Sequence, residues 1–124
     1  MPLFSEAKPE IIVHNPATVV IDTSMSCHYD VNNVRYVRFY HLRGGVSTLI
    51  HTFDKNRGIV LGRYSTLMHS EQEHRLFIED VSTEDQGVYK CETETYAGVR
   101  SKSNGAYFYV TGIKKANFYT IDFM

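Results

Sequence analysis

The sequence contains no tryptophan, three prolines and two cysteines among 124 residues, and its formal net charge is −1. A charge this close to zero gives no electrostatic basis for binding nucleic acid or an anionic membrane. No apolar run reaches the roughly 18 residues that a membrane-spanning helix needs. The first residues lack the basic start and apolar stretch of a signal peptide, so the signal of a secreted protein would lie outside this chain. The length suits one globular domain and is too short for two ordinary ones.

Motifs for catalysis and metal binding are also missing. The six histidines form neither His-x-His nor His-Glu-x-x-His, and there is no Gly-x-Ser-x-Gly elbow or phosphate-binding glycine loop. Cys27 and Cys91 lie 64 positions apart, without the short spacing of a cysteine metal site. We therefore expect no enzymatic activity, no cofactor and no metal. The histidines are expected on strand surfaces or in partly buried positions. No Asn-x-Ser/Thr glycosylation signal is present.

Aromatic and β-branched residues make up much of what is present, including nine tyrosines and seven phenylalanines. Residues 19–29 alternate between an apolar set and a polar set, and no window sustains a helical apolar stripe. This alternation is typical of an antiparallel strand with one buried face. It predicts an all-β fold. The apolar set is Val19, Ile21, Thr23, Met25 and Cys27.

Other strands are predicted at residues 11–13, 36–41, 46–53, from 62 onward, 76–78 and 106–111. The first should break at Asn15-Pro16, and turns are expected at Gly44-Gly45 and Arg57-Gly58. In the strand 36–41, Val37, Phe39 and His41 share the inward parity. In the strand 106–111 the inward residues are Ala106, Phe108 and Val110.

The segment Asp85-Gln86-Gly87-Val88-Tyr89-Lys90-Cys91 combines a tight turn with the start of a strand. Tyr89 and Cys91 share one face of that strand, whereas Lys90 and Glu92 point to the other. A chance turn followed by a strand is the simpler interpretation. Preceded by Leu76, Ile78 and Val81, however, the segment resembles the E–F corner of the immunoglobulin superfamily. The match is to the variable type, with some intermediate-type features.

The resemblance implies an immunoglobulin-like β-sandwich of two antiparallel sheets with Greek-key topology over residues 9–112. Residues 1–8 would be a leader, and residues 113–124 a C-terminal extension or linker. It further implies that the hydroxyl of Tyr89 bonds to upstream backbone after the Gly87 turn. It also implies that Arg63 pairs with Asp85, although a solvated surface arginine is the alternative.

The resemblance also implies that Cys27 and Cys91 bridge the two sheets, which would stabilise the domain by about 4 kcal/mol. Two buried free thiols are the alternative. Phe39 stands where the family carries a core tryptophan, which is a departure from the family pattern.

The outward side of one predicted sheet is rich in tyrosine and arginine, a composition common in the centre of protein interfaces. Tyrosines also simply suit exposed strands. The sequence thus predicts an extracellular recognition or adhesion module, on a cell-surface receptor or secreted, that binds a protein partner, with self-association included. A structural repeat of an intracellular filament protein is the alternative. The residues predicted to bind the partner are Tyr36, Arg38, Tyr40, Leu42, Glu92, Tyr96, Arg100, Tyr107 and Tyr109.

Overall fold

The computed structural model describes residues 8–31, 33–54, 63–70 and 72–112. In these residues the regular structure is β, apart from one turn of 3-10 helix at Thr83–Asp85. The all-β prediction is therefore confirmed. The strands are β1 (Glu10–Ile12), β2 (Ala17–Thr18), β3 (Thr23–His28), β4 (Val34–Arg43), β5 (Val46–Asp54), β6 (Tyr64–Ser70), β7 (Glu73–Ile78), β8 (Gly87–Thr95), β9 (Arg100–Lys102), β10 (Ala106–Phe108) and β11 (Val110–Thr111).

Nine of the strands form two antiparallel sheets that enclose one core, and β2 and β11 form a separate two-stranded parallel sheet. One sheet has the order β1-β3-β7-β6, and the other has the order β10-β8-β4-β5 with β9 also paired to β8. The chain passes from one sheet to the other between β3 and β4, so neighbours in sequence are not always neighbours in a sheet. The inward residues of both sheets meet in a single apolar cluster that includes Met25, Val37, Leu76 and Phe108. This arrangement is the predicted β-sandwich.

The first strand breaks at the proline, as the sequence predicted, and its two parts pair with different strands. β1 pairs with β3, whereas β2 pairs in parallel with β11, and a cis Asn15–Pro16 peptide lies between them. The Asn15 amide accepts a hydrogen bond from Tyr109 N and donates one to Tyr107 O, each at 2.8 Å. The last strand is accordingly interrupted at Tyr109, where the sequence predicted one continuous strand over residues 106–111.

The strand that the sequence predicted at residues 19–29 begins later in the structure. β3 starts at Thr23 rather than at residue 19, because a turn joins it to β2: Val20 has a φ of 61° and its N–H donates to Val81 O at 2.8 Å. The turn leaves Ile21 57% exposed, so its predicted inward position was wrong. Met25 and Cys27 are fully buried, as predicted.

The corner before β8 carries both interactions that the family resemblance implied. The Tyr89 hydroxyl donates to the backbone carbonyl of Asp85. Arg63 donates from Nη1 and Nη2 to the two carboxylate oxygens of Asp85, each at 2.7 Å. Burial opposes ionisation of Asp85, but the Arg63 hydrogen bonds outweigh it and lower the pKa of the carboxyl. Ser82 N also donates to Asp85 Oδ2 at 2.8 Å, so the corner is held from both sides.

The disulfide joins the two sheets at their centre. Cys27 in β3 is bonded to Cys91 in β8, which excludes the alternative of two buried free thiols. Phe39 lies directly across from Cys91 in the register of β4 and β8 and is fully buried. Phenylalanine therefore fills the inward place next to the disulfide without an indole N–H that would need a partner.

Two histidines lie deeper than the sequence predicted. His51 and His74 are 1% and 0% exposed, so the expectation of surface or partly buried imidazoles was wrong for both. The His74 ring packs on Phe53 with centroids 4.1 Å apart, and among the described residues neither ring nitrogen has a hydrogen-bond partner. Burial, followed by the nearby His51, lowers the pKa of His74 to about 4. The predicted Arg57-Gly58 turn lies outside the described residues.

Candidate interaction surface

Cross-strand register assembles one continuous outer surface on the β10-β8-β4-β5 sheet. Residues that are paired across two strands point to the same side of a sheet. Tyr40, for example, lies beside Leu49 of β5 and Lys90 of β8. We call this surface the front face. It includes Tyr36, Arg38, Tyr40, Leu42, Leu49, Val88, Lys90, Glu92, Glu94, Arg100, Lys102 and Tyr107.

One end of the front face is apolar. Leu42, Val88 and Tyr107 form a row across β4, β8 and β10. They line a groove of about 400 Å³ that is bounded by the Gly44-Gly45 hairpin turn. Tyr107 is 51% exposed, and Leu49 on the neighbouring row is 50% exposed. This end offers apolar surface that a partner could cover.

The other end of the front face is a lattice of opposite charges. Arg38 Nη1 donates to Glu94 Oε1 at 2.9 Å and lies 3.5 Å from Glu92 Oε1. Arg100 Nε donates to the same Glu94 oxygen at 3.2 Å. Burial disfavours the Arg38 charge, but its contacts with Glu94 outweigh that effect and raise the pKa of Arg38. The hydrogen bond from Arg38 likewise lowers the pKa of Glu94. The charges of Arg38 and Arg100 are therefore largely neutralised by the glutamates.

Tyr36 and Tyr40, two of the residues predicted to bind a partner, contact the charged side chains of this lattice. Lys102 Nζ is 4.5 Å from the centroid of the Tyr40 ring, and the Tyr40 hydroxyl donates to Glu92 at 2.9 Å. Burial and the Glu92 hydrogen bond raise the pKa of Tyr40. The Arg38 guanidinium carbon lies 4.6 Å from the Tyr36 centroid. Glu92 was predicted to point outward, and it does, but its neighbours leave only 9% of it exposed.

The remaining predicted residues lie at the margins of the front face. Tyr96 is 54% exposed in the turn that links β8 to β9, and Arg100 begins β9. Tyr109 is 49% exposed at the break after β10, outside the paired rows. The sequence did not single out Lys102, Val88 or Arg35 for this surface. Val88 shares the outward parity of Lys90, whereas the positions of Lys102 and Arg35 become visible only once the pairing of β4, β8 and β9 is known.

Among the described residues no three His, Cys, Asp or Glu side chains are grouped as metal ligands. No helix in that part of the chain is long and apolar enough to cross a bilayer.

An immunoglobulin-type domain is a two-sheet sandwich with a central disulfide and a tyrosine corner. This chain has both, together with the Arg63–Asp85 ion pair. The immunoglobulin V-set family model matches residues 15–111, and the chain belongs to that family. No curated protein matches the chain significantly. V-set domains commonly mediate recognition and protein–protein contact and are typically not enzymes.

Proposed function

We propose that this domain is an extracellular recognition module that binds a protein partner across the front face. The observation that carries the proposal is the division of that face into an apolar end and a charged end. An apolar patch contributes affinity through burial, whereas fixed charges select the partner and orient it. A second copy of the chain is included among the candidate partners, because a sheet face can pair with itself about a two-fold axis.

The Cys27–Cys91 disulfide supports an extracellular location, since such bonds persist in oxidising compartments and are rare in the cytosol. It counts against the structural repeat of an intracellular filament protein. A thiol count on protein from its native cell, alkylated at lysis, tests the location. No free thiol is the expected result, and two free thiols would support the intracellular alternative.

Leu49→Arg tests the binding face. Leu49 is 50% exposed on the front face, so the substitution should leave folding intact and place an unpaired charge in the interface. Leu67→Arg is the matched control, because Leu67 is 55% exposed on β6 of the other sheet. Tetramers of each domain would be tested against displayed extracellular proteins, and self-association would be followed by sedimentation.

The expected result is that Leu49→Arg weakens binding by about tenfold or more, whereas Leu67→Arg binds like the wild type. Equal binding by both variants would show that the front face is not the site. Loss of binding by Leu67→Arg alone would move the site to the opposite sheet.

A further inference from the structure

Arg35 occupies an irregular position in β4 that directs it to the front face. The β4–β8 register passes from Val34 opposite Thr95 to Tyr36 opposite Glu94, so one extra residue is inserted in β4. Val34 and Val37 are both buried, at 2% and 1% exposure. Arg35 and Tyr36 between them therefore lie on the same outer side. A β-bulge has this effect, because it breaks the alternation of side chains and redirects one of them.

The bulge stacks Arg35 on aromatic rings. Its guanidinium carbon is 4.7 Å from the Tyr36 centroid and 6.0 Å from that of Tyr96. Arg38 lies 4.6 Å from the same Tyr36 ring, so two guanidinium groups share one phenol. The Nε of Arg35 is buried and has no hydrogen-bond partner among the described residues. Two cations on one ring repel each other.

Among the described residues, Arg35 also differs from Arg38 and Arg100 in having no acidic partner. Arg38 and Arg100 share Glu94, at 2.9 and 3.2 Å. In the ranges that the structure describes, Arg35 forms no ion pair with a carboxylate. An incoming carboxylate would offset the charge repulsion around Tyr36 and accept from the guanidinium in a two-bond fork. Glu92 and Glu94 are already engaged with other groups, so a carboxylate of another molecule is the ligand that we consider for Arg35.

We infer that Arg35 is the docking point for an aspartate or glutamate side chain of the protein partner. The inference rests on the proposed function, because it assigns a chemistry to the partner of the same face. A protein acid is favoured over a free acidic sugar because the same face continues into the apolar groove at Leu42, Val88 and Tyr107. A protein surface can cover both ends of the front face at once.

The test is a titration of the isotope-labelled domain with the blocked peptide acetyl-Glu-Glu-Glu-Glu-amide, followed by NMR of the arginine Nε–H and backbone amide signals. We expect saturable shifts at Arg35, Tyr36 and Tyr96 that decrease with added salt. Arg35→Gln should weaken binding by about tenfold or more. Arg35→Lys should recover part of it, since lysine keeps the charge without the fork. The uncharged peptide acetyl-Gln-Gln-Gln-Gln-amide should cause no shift.

Arg75→Gln is the matched control, since it removes one arginine from the other sheet, where Glu73 pairs with it at 3.0 Å. This variant should bind the peptide like the wild type. Equal binding by Arg35→Gln, or no saturable shift at Arg35, would overturn the inference. Binding of 3′-sialyllactose at Arg35 without binding of the peptide would overturn it in favour of an acidic glycan. The titration needs no natural partner, so it can fail while the Leu49→Arg test succeeds, and the reverse.

Discussion

At the residue scale, two core imidazoles make the stability of this domain depend on pH. His74 is fully buried, and burial together with His51 lowers its pKa to about 4, whereas an unperturbed imidazole titrates near pH 6.5. Burial lowers the pKa of His51 as well. As the pH falls below about 6.5 the unfolded chain binds these protons and the folded chain does not. The contribution of the neutral imidazoles to the free energy of unfolding is therefore complete above pH 6.5, and it is lost as the pH falls towards 4.

His74→Leu should reduce this acid sensitivity. In the wild type, His74 alone should lower the free energy of unfolding by about 2 kcal/mol between pH 7.5 and pH 5. Leucine has a similar volume and does not titrate. Between pH 7.5 and pH 5 the free energy of unfolding should therefore fall by about 2 kcal/mol less in the variant than in the wild type. Urea unfolding at the two pH values measures the difference. His14→Leu, at an exposed position, should keep the wild-type pH dependence. An unchanged pH dependence in His74→Leu would contradict the assignment.

At the element scale, the entry into β8 depends on close contact with the end of β4. Gly87 has a φ of +146°, and a Cβ built on it would lie 2.7 Å from Leu42 O and 2.7 Å from His41 Nε2. His41 can rotate, but the Leu42 carbonyl is backbone and cannot. The His41 ring is also stacked on Tyr89 with centroids 4.4 Å apart, so a shift of His41 disturbs the corner. A side chain at position 87 would thus push apart the strands that present the front face.

Gly87→Ala should lower the free energy of unfolding by about 2 to 3 kcal/mol, through backbone strain and overpacking. The matched control is Gly112→Ala, because a Cβ on Gly112 meets nothing within 4 Å. Thermal or urea unfolding of the two variants provides the comparison. If Gly87→Ala were as stable as Gly112→Ala, the approach of β4 and β8 would have to be looser than described.

At the scale of the whole molecule, a single covalent link holds the two sheets together. Cys27 and Cys91 are separated by 64 positions, so the bond closes a large loop and removes many conformations from the unfolded chain. Both cysteines are fully buried, so the bond is shielded from reductant while the domain is folded. The sandwich is consequently most stable in the oxidised state.

A Cys27→Val, Cys91→Ala double variant should lose about 4 kcal/mol in the free energy of unfolding relative to the oxidised wild type. Urea unfolding of both proteins measures this value. Wild type that is unfolded, reduced and refolded in the presence of reductant should show a similar loss. A difference below about 1 kcal/mol would mean that loop closure contributes little here.

Local patterns in the chain were enough to predict most of the fold. The alternation around Met25 and Cys27, the break at Asn15-Pro16 and the turn at Gly44-Gly45 each depend on a few neighbouring residues, and the structure confirms them. Parity also placed Val37 and Phe39 inside and Tyr107 outside. The disulfide and the Asp85 corner followed from a family pattern at fixed offsets. The inward and outward positions are encoded locally because strand geometry has a period of two.

Long-range pairing decided what the chain alone could not show. Glu94 meets Arg38 and Arg100 only because β4, β8 and β9 lie side by side. The bulge that directs Arg35 to the front face depends on the register between two strands, and register is set by the whole sheet. The burial of His74 depends on the second sheet that covers it. The sequence by itself therefore determined where most strands form and which way most residues point, while the tertiary structure added the short strands β2 and β9 and determined which charges meet.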